Sequence, residues 1–493
     1  MASSIASAEE GFEYLQSFTN LEKKTSYSEK EYRLDRVKYL FEKFNNPQNG
    51  INLIHVAGSK GKGSTALYAA SILKALGFKT GLYTSPHVVS FKERISLAGV
   101  FFSDKVYAKN IGLIKEFIES ESIPFGSGSF ESGPTTFELL TLLAFLIFKH
   151  EKCSWAVIET GIGGRLDATN IIIPLCSVIT PIELEHTEIL GANLKDIAFE
   201  KAGIIKKNIP CVISKQKEEV LEVLQNKTKE ENSALTQIDK EIEITDVSLS
   251  EKGTSFSLNF KNDNALIQLP KKKNNPAIKD GASSPSALAL IKKYDFKTKM
   301  IGAFQAENSA LAILTVKKAL ENISIEIKSE EFYCNCKKGI AKTFVPGRIE
   351  YIFLGKNKPA LIIDSSHTEN SAEKLAETIK SIKKERKCVL IFGVVEGKDY
   401  KKIIDKLKSL FAEIIVSTPG TFKKSDPVAI YEYLKLELSP INVKVYIEKK
   451  PKNAFNSALE KAGEKGLIVV AGSFYMAGEI KKILQEQDYA KFV

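Results

Sequence analysis

Short apolar runs alternate with helical stretches along most of the chain and divide it into two halves. In the first half, the apolar run 51–57 is typical of a buried strand. Apolar residues then recur with the spacing of a helix that has one buried face: Ala69, Ile72, Leu73 and Leu76. Three more runs have the length of strands: 78–83, 155–158 and 176–180. We therefore predict a first α/β domain with a parallel sheet.

The second half shows the same alternation in a more regular form. From Pro346 onward, five apolar runs are each followed by a helical stretch: ALIID, KCVLIFG, EIIVS, VKVYI and GLIVVAGS. Strands that alternate with helices are typical of a mostly parallel sheet. We predict a smaller second α/β domain, and a cleft between two such domains is a natural place for a two-substrate reaction.

The chain between these halves has a different composition. The segment 225–300 begins rich in lysine and glutamate, and in the following TSFSLNF the residues Phe256, Leu258 and Phe260 alternate with polar ones. This alternation predicts a half-buried strand, which we assign to an antiparallel addition to the first domain. The next segment, KKKNNPAIKDGASSP, is typical of a loop, and 305–320 is typical of a helix. We place the domains at 1–324, with an insertion near 225–300, and at 325–493.

A glycine-rich loop, GSKGKGST, joins the first strand to its helix. Its glycines let the backbone approach a ligand, and the loop N–H groups then point with the helix N-terminus into one concavity. Lys62 adds a mobile cation, and the hydroxyl of Ser64 or Thr65 can reach a phosphate oxygen or a magnesium ion. The usual nucleotide-loop pattern is not met, because Gly63 separates Lys62 from Ser64. We nevertheless favour polyphosphate binding over the alternative of a glycine-rich surface turn.

The charge balance favours small anionic substrates. The 493 residues include 70 lysines and arginines against 60 aspartates and glutamates, a net charge of +10. Much of this excess lies in short dispersed clusters such as 271–273, and no basic block is interleaved with aromatic residues. A nucleic-acid binder is therefore a weak alternative, and a solvated surface is favoured.

The sequence also predicts the compartment. Its N-terminus lacks the basic start and apolar core of a secretory signal, and the longest strongly apolar run, 139–148, is too short to span a bilayer. Cys334 and Cys336 have no second pair that would complete a zinc site. We expect a cytoplasmic protein with reduced thiols, no membrane partner and a monomeric state.

Polar residues follow three of the predicted strands. Ser85, Glu159 and His186 each come after an apolar run, and in an open α/β sheet ligands gather at the carboxyl ends of the strands. Oxygen ligands suit magnesium, and a histidine is a less usual ligand for it. Taken singly, Glu159 is equally explained as a cap or an ion-pair partner, and His186 as a surface loop residue.

Several longer strings carry a resemblance to a known family. HVAGSKGKGST, TSPH with ERI, AVIETGIGGRLDATN, LEHTEILGANLKDIAFEKAGIIK, PGRIE, LIIDSSH and VAGSFYMAGEI resemble the signature segments of the folylpolyglutamate synthase / dihydrofolate synthase family, within the wider group of the Mur ligases. The resemblance covers about residues 34–486. It implies an N-terminal P-loop ATPase-type domain with a parallel sheet and a smaller C-terminal Rossmann-like α/β domain.

The resemblance also implies a reaction. The family uses ATP to join a carboxylate to the amine of L-glutamate through an acyl phosphate, and phosphorylation supplies the leaving group that a carboxylate lacks. The enzyme then contributes positioning and charge neutralisation. ATP and Mg²⁺ are implied, with folate or dihydropteroate and glutamate as substrates. Whether dihydropteroate is accepted as well as folates stays open.

The family's functional residues fall on matching positions of this chain. Its phosphate contacts correspond to Gly58, Ser59, Lys60, Gly61, Lys62, Gly63, Ser64 and Thr65. Its other nucleotide contacts correspond to Asn308, Arg348 and Asp364, and its magnesium site to Ser85, Glu159, His186 and Lys201. Lys201 matches a lysine that the family carbamylates, although the residue alone is typical of a helix-end cation. Lys62, Lys201 and His186 are the implied catalytic residues, and Thr135, Phe137, Arg165 and His367 are weaker substrate candidates.

The chain departs from the family pattern at four places. Lys60 replaces an asparagine and Glu185 replaces an aspartate, whereas Gly397 stands where an Asp-Lys-Asp run begins. Thr368 and the glutamate after it replace Asn-Pro, which leaves the role of His367 open. The phosphate-loop and metal residues are kept, so we expect an active ligase.

Two alternatives belong to other functional classes. A Mur-type amino-acid ligase of cell-wall synthesis would need a further N-terminal domain for its nucleotide-sugar substrate, and we expect too few residues before Ile51 to form one. A nucleotide-binding protein without ligase activity is the other alternative, because of the altered motifs.

Overall fold

The computed structural model describes residues 5–20, 34–120, 133–261 and 292–486. The helices are α1 (Ala8–Gln16), α2 (Leu34–Lys43), α3 (Lys62–Ala75), α4 (Asp104–Ser120), α5 (Thr136–His150), α6 (Thr187–Leu190), α7 (Leu194–Ala202), α8 (Glu218–Glu230), α9 (Ile238–Glu241), α10 (Phe304–Asn322), α11 (Ser329–Lys342), α12 (Glu369–Ile382), α13 (Tyr400–Leu407), α14 (Pro427–Leu438), α15 (Pro451–Ala462) and α16 (Phe474–Glu486). The strands are β1 (Asn52–Ala57), β2 (Thr80–Tyr83), β3 (Ile95–Leu97), β4 (Trp155–Glu159), β5 (Cys176–Ile179), β6 (Cys211–Ile213), β7 (Leu235–Gln237), β8 (Ile242–Ser250), β9 (Gly253–Phe260), β10 (Lys292–Thr298), β11 (Glu350–Phe353), β12 (Ala360–Ile363), β13 (Cys388–Phe392), β14 (Glu413–Val416), β15 (Lys444–Ile447) and β16 (Leu467–Ala471).

A seven-stranded sheet organises the N-terminal part of the protein, which we take as the described residues up to Lys342. Its strand order is β3-β2-β4-β1-β5-β6-β7, and every pairing is parallel except that of β2 with β3. The connection from β1 to β2 runs to one side of β1, whereas β4 to β5 crosses to the other side. Such a reversal opens a crevice at the carboxyl ends of the central strands.

Helix α3 is buried over most of its length. It follows β1 directly, and α10 and α11 pack against it. The sequence pattern predicted a helix with one buried face, but nearly every residue of α3 from Ser64 to Leu73 is buried. That part of the prediction was wrong. The sequence pattern locates the apolar residues of a helix, but it does not show that α10 and α11 also cover the small and polar residues of α3.

A separate three-stranded antiparallel sheet, in the order β10-β9-β8, forms the addition predicted from the alternating segment. Phe256, Leu258 and Phe260 of β9 are buried in the same apolar cluster as α3, α10 and α11, which confirms that prediction. The loop predicted at 271–285 lies outside the described residues.

A six-stranded sheet organises the C-terminal part, which we take as the described residues from Pro346 onward. Its order is β11-β12-β16-β13-β14-β15, and β12 to β16 are parallel as predicted. β11, which was not predicted, pairs antiparallel with β12 at the edge. The two faces of the sheet bury separate apolar clusters.

The two parts also make non-covalent contacts with each other. α11 packs on α3, so the packing of the N-terminal part continues to Lys342. Beside the β8–β9 turn, Glu251 Oε1 forms an ion pair with Arg386 Nη2 of the C-terminal part at 2.6 Å. Leu249 of β8 packs on the apolar cluster of the C-terminal part. The domain boundary placed at 324 stays a prediction.

The described ranges contain no helix that is both long and apolar enough to span a membrane.

The contact between α11 and α3 generates a stability prediction. A Cβ at Gly339 would lie 2.7 Å from the Ser71 carbonyl oxygen, which is backbone and cannot swing away. We expect Gly339→Ala to destabilise the protein by about 1–3 kcal/mol, as measured by denaturant unfolding.

Gly112 in α4 provides the matched control, because nothing lies within 4 Å of its Cβ position. Gly112→Ala should be neutral or stabilise by about 0.5–1 kcal/mol, the normal gain in a helix. Equal responses of the two variants would contradict the close approach of α11 to α3.

Candidate active site

The glycine-rich loop between β1 and α3 has a backbone that only glycine accommodates at two positions. Gly58 has φ +140° and Gly61 has φ +84°, both on the positive side that side chains disfavour. A Cβ at Gly58 would lie 1.9 Å from Thr180 Oγ1, and one at Gly61 would lie 2.5 Å from Asn308 Oδ1. The loop is therefore packed between the end of β5 and helix α10.

Hydrogen bonds to the segment after β5 fix this loop. Ser59 N donates to Pro181 O at 2.9 Å, Ser59 Oγ is 3.0 Å from Glu183 O, and Glu183 N donates to Ser59 Oγ at 3.0 Å. The first N–H groups of α3 have no carbonyl of their own helix to bind. Together with Lys62, they make the start of α3 an anion-binding position.

Glu159, the last residue of β4, points at this loop. Its carboxylate is 3% exposed, Oε2 accepts from Ser85 N at 3.0 Å, and the same oxygen would lie 3.3 Å from a Cβ at Gly63. Burial raises the Glu159 pKa, and the charge of Lys62 opposes that rise. A desolvated carboxylate beside a phosphate loop favours a cation at this position.

Lys201 lies behind the loop and is almost fully buried. Its Nζ donates to Gly58 O at 2.8 Å and to Glu185 Oε1 at 2.9 Å, and the side chain is 1% exposed. Burial lowers the Lys201 pKa to about 8, although Glu185 opposes the change. Burial alone would raise the Glu185 pKa, but Lys201 and Lys62 hold it well below its usual range. The pair is thus mainly ionised at neutral pH, and a minor fraction of Lys201 carries a neutral amine.

Two histidines on the cavity wall, His186 and His367, are neutral imidazoles at neutral pH. Burial lowers the pKa of His186 to about 4, and it lowers the pKa of His367 well below 6.5. His367 Nδ1 is 2.9 Å from Ser365 O, so Nδ1 carries the proton and Nε2 is left as an acceptor. Both side chains can therefore act as ligand or base.

The C-terminal part supplies the opposite wall. Asp364, at the end of β12, accepts from Ile349 N at 2.9 Å and Ser366 N at 2.8 Å. The Arg348 guanidinium lies 4.6 Å from the centre of the Phe474 ring, and burial lowers its pKa while Asp364 and Glu159 oppose the change. Arg348 therefore interacts with carboxylates of both parts.

These groups line one cavity of about 380 Å³. Of the residues predicted from sequence, its wall includes Ser59, Lys60, Gly61, Lys62, Gly63, Ser64, Ser85, Thr135, Phe137, Glu159, His186, Asn308, Arg348, Asp364 and His367. Four predicted residues are not on the wall: Gly58, Thr65, Lys201 and Arg165. Lys201 lies behind the loop and donates there to the Gly58 carbonyl, and Arg165 pairs with Glu200 Oε1 at 2.8 Å.

One end of the cavity is largely apolar. Thr135 caps α5, and the Phe137 ring lies where a Cβ at Gly161 would be 2.6 Å from its Cζ. Ile162 and Leu166 complete this end of the wall. Such a surface suits a flat ring system better than it suits phosphates.

Several wall residues were not among the predicted site residues. They include Arg94, Asp167, Glu183, Gln305, Lys374, Lys398 and the residues Ser473, Phe474 and Tyr475 at the start of α16. Arg94 lies in the quoted ERI string, Asp167 in GGRLDATN and Ser473 in VAGSFYMAGEI, so position within these strings was an available signal. Lys374 lies in α12 and had no such signal.

The donors near the loop fit magnesium in a limited sense. No group of three or more His, Cys, Asp and Glu is arranged to hold a metal ion in the described residues. Magnesium, however, often binds through one or two carboxylates plus substrate phosphates. Buried Glu159 and neutral His186 fit that pattern, and the buried Thr65 Oγ1 has no hydrogen-bond partner.

Comparisons with known proteins agree with this architecture. The model of the Mur ligase middle domain matches residues 56–316, more than half of the chain. The chain belongs to the Mur ligase family. A second model, of the Mur ligase glutamate ligase domain, matches residues 347–474, which carry the opposite wall of the cavity.

Individual relatives of this Mur ligase narrow the assignment. A dihydrofolate synthase/folylpolyglutamate synthase of Bacillus subtilis is 29% identical over 454 residues, 92% of this chain and 95% of that protein. The crystal structure of a Thermotoga maritima folylpolyglutamate synthase has a TM-score of 0.74 at 27% identity and covers 97% of this chain and 96% of its own. A folylpolyglutamate synthase complex with AMPPCP and folate has a TM-score of 0.72 at 26% identity, covering 97% and 99%. The resemblance to the folylpolyglutamate synthase / dihydrofolate synthase family and the predicted two-domain α/β fold are confirmed.

The neutral histidines give a pH prediction. An unfolded histidine titrates near pH 6.5, whereas His186 has a pKa of about 4 in the folded protein. The unfolded chain then binds more protons in this interval, so stability is lost as the pH falls from 6.5 towards 4. NMR titration of the ligand-free protein should show no protonation of His186 or His367 down to about pH 5.5. Titration of either near 6.5, as in the urea-unfolded control, would contradict the burial.

Proposed function

We propose that this Mur ligase joins L-glutamate to a carboxylate of a tetrahydrofolate and cleaves ATP in the process. The observation that carries the proposal is a single cavity in which a cationic phosphate loop faces Arg348 and Asp364 of the other part. The relatives named as folylpolyglutamate synthases, one of them in complex with AMPPCP and folate, support the choice of substrates.

The start of α3 is the proposed site of the ATP phosphates. Lys62 and the free N–H groups of the first helical turn neutralise and orient the outer phosphates. Asn308 touches the loop at Gly61, and Arg348 reaches the transferred group from the opposite wall. Lys60, the chain's departure from asparagine, adds a second loop cation near Glu185.

The reaction then has two displacements. A carboxylate oxygen of the folate attacks the γ-phosphorus, the bond to the β-phosphate oxygen breaks, and ADP leaves. The glutamate amine attacks the acyl carbon of the resulting acyl phosphate, and the C–O bond to phosphate breaks. The nitrogen must lose a proton, and the Nε2 atom of neutral His367 on the cavity wall is an acceptor for it.

Magnesium is the proposed metal, held by Ser85, Glu159, His186 and Lys201. When bound, it would shield the charge on the phosphates. Lys201 donates to Gly58 O and Glu185, and as an ammonium it would repel a cation. Carbamylation needs the neutral amine, and a pKa of about 8 makes that form available at neutral pH. A carbamylated Lys201 is therefore part of the proposal.

The apolar end of the cavity is the proposed place for the folate ring system. Phe137 supplies an aromatic face beside Gly161, and Thr135 fixes the start of α5 that carries it. Arg165 has an ion-pair partner away from this wall, and its role toward substrate stays a prediction. The cytoplasmic location and the monomeric state also stay predictions.

The test is ATP turnover that depends on both co-substrates. Purified protein with ATP, Mg²⁺, tetrahydrofolate and glutamate should release phosphate and form a folate longer by one glutamate. Omission of either co-substrate should abolish both products. Replacing tetrahydrofolate with dihydropteroate decides whether the second substrate is also used. Turnover that ignores folate and glutamate would overturn the proposal in favour of a nucleotide-binding protein.

Lys62→Ala tests the phosphate loop within the same assay. We expect it to reduce kcat/KM by at least about a hundredfold, because it removes the cation that compensates the outer phosphates. Lys74→Ala is the matched control, since Lys74 is an exposed lysine of the same helix, and it should keep full activity. Near-normal activity of Lys62→Ala would make the loop assignment wrong.

Lys201→Ala tests the carbamate. We expect its activity to fall to background and to recover in part with added short carboxylic acids, which can occupy the vacated space and supply oxygen ligands. Intact-mass measurement of the wild type should show one added carbamate. An unmodified Lys201 in an active, metal-loaded enzyme would exclude the carbamate and leave Glu159 and His186 as separate candidate ligands.

A further inference from the structure

A buried polar chain connects the middle of β1 to the segment that follows β4. His55, in the middle of β1, has no exposed surface, and its Nε2 is 2.8 Å from Thr169 Oγ1. Thr169 is equally buried in the turn Ala168–Ile171, and its hydroxyl is 2.5 Å from Asp167 Oδ1. None of the proposed binding or catalytic steps uses His55 or Thr169.

The direction of these hydrogen bonds follows from counting donors. Asp167 Oδ1 receives Thr169 N and Thr169 Oγ1, and Oδ2 receives Gly161 N at 2.9 Å and Ile162 N at 3.0 Å. Burial raises the Asp167 pKa, the hydrogen bonds from Thr169, Ile162 and Gly161 oppose that rise, and each carboxylate oxygen already accepts from a backbone N–H. The single hydroxyl proton of Thr169 thus goes to Asp167, and Thr169 Oγ1 accepts from His55 Nε2–H.

The chain ends at the apolar end of the cavity. Asp167 is the only link in it that lines the cavity among the residues described, and it holds the backbone of Gly161 and Ile162. Gly161 lies directly against the Phe137 ring. The position of Asp167 therefore sets the distance between the Gly161–Ile162 backbone and the Phe137 ring.

We propose that His55 and Thr169 are positioning residues for the ring-bearing end of the folate substrate. They hold Asp167 in one orientation, and Asp167 holds the Gly161–Ile162 backbone at a fixed distance from Phe137. The inference rests on the proposed function. It predicts an effect on folate affinity and none on ATP, whose phosphate loop is held by separate bonds from Ser59 to Pro181 and Glu183.

Thr169→Val tests the inference, because valine keeps the shape of threonine and removes the hydroxyl. The Nε2–H of His55 then loses its acceptor and Asp167 Oδ1 loses one of its two donors, so we expect KM for tetrahydrofolate to rise by about tenfold. KM for ATP should stay within about twofold, and kcat should change little. Thr169→Ser restores the hydroxyl and should return the folate KM to near the wild-type value.

Thr315→Val in α10 is the matched control. Thr315 is also fully buried and its hydroxyl is hydrogen-bonded, but only to Leu311 O of its own helix. It should leave the KM values of both substrates unchanged. A general loss of stability would change the KM values of all substrates alike in both valine variants. A rise in the folate KM of Thr169→Val alone would instead indicate a positioning role.

The tautomer of His55 can be tested on the wild-type protein, without any variant. Long-range ¹⁵N–¹H NMR of the wild type should show His55 as a neutral imidazole protonated on Nε2, since burial lowers its pKa to about 3.

His55→Gln keeps a donor near the Nε2 position and should retain folate affinity, whereas His55→Leu should lose it as Thr169→Val does.

Three results would overturn the inference. They are an unchanged folate KM in folded Thr169→Val, an equal rise in the KM for ATP, and a His55 protonated on Nδ1. Each leaves the proposed ligase reaction intact, because the first two compare active enzymes and the third is a structural measurement on the wild type. Absence of folate-dependent turnover in the wild type would instead remove the function on which the inference rests.

Discussion

The parallel pairing of β1 with β4 and β5 is the constraint on which the site depends. Val56 pairs with Glu159, and Ala57 pairs with Ile179, so three strands end at the same edge. A shift of one residue in the register of β4 against β1 would turn Glu159 to the opposite face of the sheet. The phosphate loop, the buried carboxylate and the segment that carries His186 thus meet because of backbone hydrogen bonds rather than side-chain attraction.

The charges around the loop are costly to bury and are therefore paired across elements. Lys201 is matched by Glu185, and Arg348 is attracted by both Asp364 and Glu159. Removing one member of such a pair leaves an uncompensated charge in a poorly solvated place. The same desolvation strengthens their attraction for a charged substrate. The same side chains therefore contribute both to the stability of the fold and to the binding of a charged ligand.

The fold could be predicted from the sequence further than the site could. Apolar period and punctuation identified four strands of the seven-stranded sheet, namely β1, β2, β4 and β5, and five strands of the six-stranded sheet. The alternation in β9 identified one strand of the antiparallel sheet. The short strands β3, β6, β7 and β11 were not identified. The same patterns also did not show that Lys201 forms an ion pair behind the loop or that Arg165 pairs with Glu200.

These failures have a common physical cause. A side chain's partner depends on residues brought together by the sheet from distant parts of the chain, as with His55 and Thr169. A motif indicates that a residue matters without indicating whether it touches the ligand or holds a neighbour that does. Glycine behaves differently, because the close contacts at Gly58 and Gly61 leave a local signal in the sequence itself.

The ion pair of Glu251 with Arg386 also has a mechanical consequence. It joins the two parts of the molecule at a second point, away from the covalent connection after Lys342. Leu249 packs on the apolar cluster of the C-terminal part, and Ile301 is buried within that cluster. Separating the two parts on this side would therefore break an ion pair and expose apolar surface at the same time. Arg348 and Asp364 are thus held opposite the phosphate loop by contacts that do not themselves line the cavity.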